Sequence, residues 1–152
     1  MDRVERCHGA NEGGMPLVRI VRGTMPMFRV LSDSSGPRLV HSTDLRGARV
    51  FVDGRRGTIH CPVARAPAVM LPRVGRISEE KVAVYAGPDP LALSDCVLAL
   101  ECSSTQAAEM VRETLTDNFV ALRNLYVGTG APFITLARLK SLLAELGIRE
   151  SP

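Results

Sequence analysis

The chain has 152 residues, of which 45% are hydrophobic and 23% charged, as is ordinary for a globular protein of one domain with its own core. Aromatic residues make up only 4% and Trp is absent, which disfavours a base-stacking surface for single-stranded nucleic acid. No apolar run is long enough to cross a membrane and the first residues do not read as a secretion signal. We therefore expect a cytoplasmic protein with no membrane partner.

The net charge of +3 conceals an uneven distribution. Residues 1–76 contain 13 Arg and 6 acidic residues, a balance of +7, whereas residues 77–152 contain 6 basic and 10 acidic residues, a balance of −4. Arg outnumbers Lys by 17 to 2. A guanidinium group suits bidentate contact with phosphate and guanine, so the first half is expected to face a polyanion. The alternative is a GC-rich genome, which encodes Arg often.

The four cysteines favour neither disulfides nor a metal site. They lie at Cys7, Cys61, Cys96 and Cys102 and form no Cys-x-x-Cys pair. Cys7 and Cys61 each adjoin a histidine, but zinc ligands are usually separated by two to four residues. We expect reduced thiols, no metal and no cofactor.

The predicted elements begin with a polar, glycine-rich leader over residues 1–14, followed by a single domain over 15–150. Alternating or continuous apolar runs predict strands, and the turn residues at 53–56 predict a hairpin that pairs 48–54 with 57–63. Residues 25–31 form either a short strand or a turn. The other predicted strands cover 16–21, the start of 38–47, 69–71, 81–86 and the apolar run 95–102.

Three helices are predicted in the last third of the chain. Ser103 with Gln106 forms a capping pattern for the first helix, and the second covers about 117–126. Thr135 caps the third helix, which ends before Gly147, with Ile148 supplying the apolar contact. The fold class is therefore α+β, with a mostly β N-terminal two-thirds and a helical C-terminal third.

Catalytic motifs are absent from the sequence, so we expect no enzyme activity. His41 near Asp44 fits either a general base with its orienting carboxylate or a half-buried histidine at a strand end. Asp44 and Asp95 would form a carboxylate pair only if the fold brought them together.

Candidate DNA-binding residues are arginines placed at predicted turns of the basic half. Long side chains at turns can enter a major groove, although each could also be an ordinary solvated arginine. The candidates are Arg46, Arg55, Arg56, Arg73 and Arg76.

The segment "GTGAPFITLARL" (128–139) carries two glycines around one threonine. We expect Gly128 and Gly130 to adopt backbone angles that a β-carbon would resist. The segment is either a plain connection with Thr135 as a helix cap, or a loop that contacts phosphate.

Three stretches in this order carry a resemblance to a known family: "LVHSTDLRG" (39–47), the segment 68–102 that contains "AVMLPRVGRISEEKVAVYAG", and "LYVGTGAPFITLARLKSLL" (125–143). They resemble the target-recognition domains of restriction-modification systems, found in type I specificity subunits and at the C-termini of adenine-specific DNA methyltransferases. The resemblance covers about residues 16–148. The methyltransferase domain itself is missing, which implies either a free-standing module or an excised domain.

The resemblance implies a sequence-specific DNA-binding module without a catalytic site. Its partners would be double-stranded DNA and a methyltransferase or endonuclease catalytic subunit. The glycine-bearing turn would lie near the DNA, where Thr129 and Thr135 could donate hydrogen bonds to phosphate. The alternative is a small α+β protein-interaction or regulatory domain whose basic surface is incidental.

Overall fold

The computed structural model describes residues 16–27, 35–58 and 61–152. The predicted leader and most of the segment 25–31 lie outside the described residues, as do Cys7 and His60 of the cysteine–histidine pairs. No helix in the described ranges is long and apolar enough to cross a membrane.

Ten short strands and three helices form the described part of the chain, which confirms the predicted α+β class. The helices are α1 (Thr105–Asp117), α2 (Phe119–Arg123) and α3 (Leu136–Glu145), and two 3-10 turns cover Ser42–Asp44 and Glu79–Lys81. The strands are β1 (Leu17–Arg22), β2 (Leu39–Val40), β3 (Leu45–Arg46), β4 (Arg49–Val50), β5 (Val63–Ala64), β6 (Ala68–Pro72), β7 (Ala83–Tyr85), β8 (Leu91–Leu93), β9 (Val97–Glu101) and β10 (Arg149–Glu150).

The strands form a seven-stranded sheet in the order β10-β1-β9-β6-β7-β4-β3 and a three-stranded sheet in the order β2-β8-β5. The larger sheet is covered by the helices on one face and by the smaller sheet on the other. In β9, Leu98 and Leu100 belong to the core under the helices, whereas Val97 and Ala99 belong to the core between the sheets. Burial on both faces explains why β9 is continuously apolar rather than alternating.

The helix ends follow local capping chemistry, with one shift from the prediction. Ser104, not Ser103, caps α1, since its extended backbone lets Oγ accept a hydrogen bond from the Ala107 amide at 3.0 Å. Thr135 caps α3 as predicted. Beyond α3, Gly147 has φ +81°, and the amide of buried Ile148 donates to Leu143, which confirms the predicted C-terminal motif.

The predicted hairpin between residues 48–54 and 57–63 is wrong. β4 instead pairs with β3 across the two-residue turn Gly47-Ala48, and with β7 on its other side. Both turn residues have positive φ, +60° and +64°, as a tight two-residue hairpin requires. Residues 55–57 pair with 37–39 through two backbone hydrogen bonds of 2.9 Å, so their partner is a segment upstream of β3.

Candidate nucleic-acid interface

The turn after β6 and the glycine-bearing turn, which are distant in the sequence, hydrogen-bond to each other at one end of β6. The Gly75 amide donates to the Pro132 carbonyl at 2.7 Å, and the Ile134 amide donates to the Arg73 carbonyl at 3.0 Å. Val74 and Phe133 thereby form an antiparallel bridge. The turn after β6 and the glycine-bearing turn before α3 therefore form one surface, which we call the paired turns (residues 73–76 and 127–134).

Tyr126 fastens this surface to the sheet. Its phenol donates a hydrogen bond to the Pro72 carbonyl at 2.5 Å, and the side chain is buried. Burial raises the pKa of the Tyr126 phenol far above its usual range, so it remains a donor at all ordinary pH values. The position of the paired turns is therefore set by a buried contact and does not depend on a ligand.

The glycine-bearing turn closes a small loop in which Val127 and Phe133 exchange two backbone hydrogen bonds of 3.0 and 3.1 Å. Gly128 has φ +138° and Gly130 has φ +79°, which confirms the predicted angles. A β-carbon on Gly128 would lie 2.7 Å from Cε1 of the Phe133 ring, whereas one on Gly130 would meet nothing within 4 Å. Gly128 thus makes room for an aromatic ring of its own loop, which explains this glycine without a ligand.

The two arginines of the paired turns have different surroundings. Arg76 is exposed, and its side chain has no hydrogen bond or ion pair in the part of the chain that the structure describes. Arg73 is half-buried, and its Nε donates to the Asp95 carbonyl at 2.7 Å. Arg76 is therefore free to contact a ligand, whereas Arg73 already holds the turn after β6 against the start of β9.

Arg55 and Arg56 do not lie at a hairpin tip. Arg55 pairs with Asp44 at 2.7 Å and with Asp53 at 2.8 Å, and its hydrogen bonds to Asp53 lower the pKa of that carboxyl and raise the pKa of Arg55. Arg56 Nη1 donates to the Gly36 carbonyl at 2.7 Å. Two carboxylates offset the charge of Arg55, so this arginine is a poor candidate for binding phosphate.

Arg46 lies on the hairpin of β3 and β4 with its side chain exposed. Its guanidinium stacks on the Phe51 ring at 4.3 Å from the ring centre.

Thr129 is exposed at the tip of the glycine-bearing turn. The Thr135 hydroxyl accepts from the Arg138 amide at 3.2 Å, so its oxygen serves the helix cap.

The sequence analysis missed an aromatic–arginine pair formed by Phe133 of the paired turns and Arg138 of α3. Phe133 is 36% exposed, and the Arg138 guanidinium lies 5.8 Å from its ring centre. Val127, the hydrogen-bonding partner of Phe133, is exposed beside it. The phenylalanine that follows the Gly-Thr-Gly-Ala-Pro stretch was the available signal in the sequence.

Most of the described arginines of the basic half form no ion pair with a described carboxylate. Of the ten arginines within the described residues 16–76, only Arg19 and Arg55 form ion pairs with carboxylates. Acidic side chains of the second half include Glu109, Glu113 and Asp117, which lie exposed along α1. Within the ranges that the structure describes, ion pairing therefore leaves most of the positive charge of the basic half uncancelled.

His41 is not oriented as a general base. The Asp44 carboxylate accepts from the backbone amide of His41 at 2.9 Å, whereas the ring Nδ1 lies 2.8 Å from Oγ of the fully buried Ser94. Burial, aided by Arg55, lowers the pKa of His41, so the ring is neutral at pH 7. Among the described residues, no group of three or more His, Cys, Asp or Glu could hold a metal ion.

Thr129→Val tests whether the glycine-bearing turn contacts nucleic acid. The change removes one exposed hydroxyl at nearly constant shape, so DNA affinity is expected to fall several-fold while the melting temperature stays the same, as measured by a low-salt shift assay and thermal melts. Gly130→Ala is the comparison, because it strains a positive φ and is expected to destabilise the fold by about 1 kcal/mol. Unchanged affinity and salt dependence in Thr129→Val would make this turn purely structural.

The fold is similar to that of a solved restriction-modification subunit. No protein-family model and no curated protein matches the sequence. The crystal structure of the type I restriction-modification system S subunit from M. genitalium superposes with a TM-score of 0.50 and 13% sequence identity. The match covers 82% of this chain and 30% of that subunit, so the chain spans less than a third of its length. At this identity the likeness shows the fold alone.

Proposed function

We propose that this chain is a target-recognition module of a restriction-modification or DNA-methyltransferase system. Residues 15–150 would act as one unit that reads a sequence in double-stranded DNA, and the chain would contribute no catalytic group. The fold likeness to an S subunit supports this class of protein. The observation that carries the proposal is the set of arginines between residues 16 and 76 that form no ion pair with a carboxylate of the described residues.

The paired turns supply the combination that a DNA-reading surface needs. Arg76 has no partner among the described residues and could bind phosphate or guanine, and Phe133 with Arg138 adds an exposed ring for apolar contact with a base. Buried Tyr126 and the backbone bridge of Val74 with Phe133 hold these groups in place before DNA arrives. Such preorganisation lowers the entropic cost of binding.

Methylation or cleavage would come from a catalytic partner subunit. The exposed acidic residues of α1 repel DNA and would therefore face away from it. We propose that this helical layer, rather than the arginine-bearing side, docks the partner. Isolated protein is accordingly expected to incorporate no labelled methyl group from S-adenosylmethionine into DNA.

Selection of bound oligonucleotides from a random duplex pool tests the function directly. A recognition module is expected to enrich one short motif over successive rounds, because specific sites bind about 10³-fold or more tighter than random sequence. Arg149→Ala, which removes an exposed arginine from β10 at the far edge of the sheet, should enrich the same motif. A pool that stays random after several rounds would reject sequence-specific recognition.

A further inference from the structure

We infer that the hairpin of β3 and β4 binds one phosphate group between Arg46 and Arg49. The proposed function supplies the source of that phosphate, the backbone of the DNA. The hairpin is separate from the paired turns.

The two arginines face each other across the hairpin. Arg46 and Arg49 are register partners on either side of the Gly47-Ala48 turn. Side chains at such positions project from the same face, with β-carbons about 5 Å apart. Both arginines are exposed, whereas their neighbours Leu45 and Val50 are buried or half-buried on the other face. Both arginine side chains therefore leave the hairpin on the same exposed face, within reach of one small anion.

This arrangement is unfavourable without an anion. Like charges directly opposite each other destabilise a strand pair. Within the described residues, neither Arg46 nor Arg49 forms an ion pair, and Arg49 makes no side-chain hydrogen bond. The nearby Glu80 carboxylate accepts instead from the Gly47 amide at 3.0 Å. An anion held between the guanidinium groups would remove the repulsion.

The hairpin is held rigidly at a strained turn. Ala48 has φ +64°, a conformation that alanine rarely adopts. Its amide donates to the Glu80 carbonyl at 2.8 Å, and its carbonyl accepts from the Val84 amide at 3.0 Å. Hydrogen bonds to the segment 80–84 thus fix the turn between the two arginines.

Phe51 orients one of the two guanidinium groups. It lies two residues after Arg49, hence on the same face of the strand, and is 42% exposed. The Arg46 guanidinium stacks on its ring, which leaves the edge N–H groups free to donate. A phosphate has enough oxygens to accept hydrogen bonds from both arginines. Guanidinium–phosphate hydrogen bonds are charge-assisted and therefore stronger than hydrogen bonds between neutral groups. Phosphate is therefore the ligand class that this geometry fits.

The first experiment uses inorganic phosphate and needs no DNA. Thermal melts compare wild type, Arg46→Gln, Arg49→Gln and the matched control Arg149→Gln in phosphate and in chloride of equal ionic strength. Phosphate is expected to raise the melting temperature of wild type and of the control by roughly 3 °C more than chloride does. Either hairpin variant should lose the part of this increment that comes from binding and keep only the general stabilisation that phosphate gives any folded protein. In dilute chloride, Arg49→Gln should melt higher than wild type because the repulsion is gone. An equal phosphate increment in all four proteins would overturn the site.

The second experiment measures duplex-DNA affinity against salt for the same proteins and for the double variant. If both arginines hold one phosphate, each single variant should lower the steepness of the log–log plot by about 0.9, and the double variant by no more than that. A double variant that loses twice as much, or single variants that lose nothing, would overturn the shared phosphate. If wild type fails to bind DNA at all while the phosphate increment is present, the proposed function fails, and the site binds another phosphate-bearing ligand.

Discussion

Binding of duplex DNA is expected to weaken on the order of 100-fold when sodium chloride rises from about 50 to about 200 mM. The contacts that carry this expectation are Arg76, the Arg46–Arg49 pair, and the N–H groups of Arg56 and Arg138 that do not already donate to a backbone carbonyl. Each neutralised phosphate contributes about 0.9 to the slope of log affinity against log salt, so four contacts give a slope of about −3.6. Fluorescence anisotropy with a labelled duplex, repeated at several salt concentrations, measures the slope.

Arg76→Ala isolates one of these contacts. The Arg76 side chain has no partner within the described ranges, so its removal should change the unfolding free energy little. The slope of log affinity against log salt should become less steep by about 0.9. Arg73→Ala is not an equivalent test, since the Asp95 carbonyl would lose its donor at a cost of about 1–3 kcal/mol. Arg149→Ala is the charge-matched control. If Arg76→Ala and this control give the same slope, the paired turns do not face DNA.

Gly23→Ala is expected to destabilise the fold by about 3 kcal/mol or more. Gly23 lies just after β1, where its amide donates to the Val97 carbonyl at 3.0 Å. A β-carbon there would lie 1.8 Å from the Ser94 carbonyl oxygen and 2.7 Å from Cβ of Leu93. Because Met25 forms a bridge with Ser94, this glycine sits where the two sheets join. The backbone at Gly23 or the backbone at Ser94 must therefore shift to make room for the added methyl group.

Gly54→Ala serves as the control for Gly23→Ala. A β-carbon on Gly54 would meet nothing within 4 Å, and the residue has no positive φ. The unfolding free energy of Gly54→Ala is expected to differ from that of wild type by less than about 1 kcal/mol. Urea unfolding followed by far-UV circular dichroism measures both variants. Equal midpoints for wild type and Gly23→Ala would show that the junction of the sheets is loosely packed.

Features that depend on neighbouring residues could be predicted from the sequence. The apolar run of β9, the Thr135 cap and the Gly147 motif follow from local periodicity and from hydrogen bonds that span three to five residues. The positive φ of Gly128 and Gly130 follows in the same way, since few other residues tolerate it. Even the one-residue error at the Ser103-Ser104 cap is local, because either serine can precede the first turn.

Strand partners and the freedom of each arginine were decided only by the tertiary structure. The sequence showed turn residues at 53–56, but pairing of 55–57 with 37–39 and the left-handed Ala48 moved the hairpin to β3 and β4. Arg55 and Arg76 look alike in sequence, yet one meets two carboxylates and the other none in the described part of the chain. Register and ion pairing join residues distant along the chain, so their free energies are absent from any local pattern.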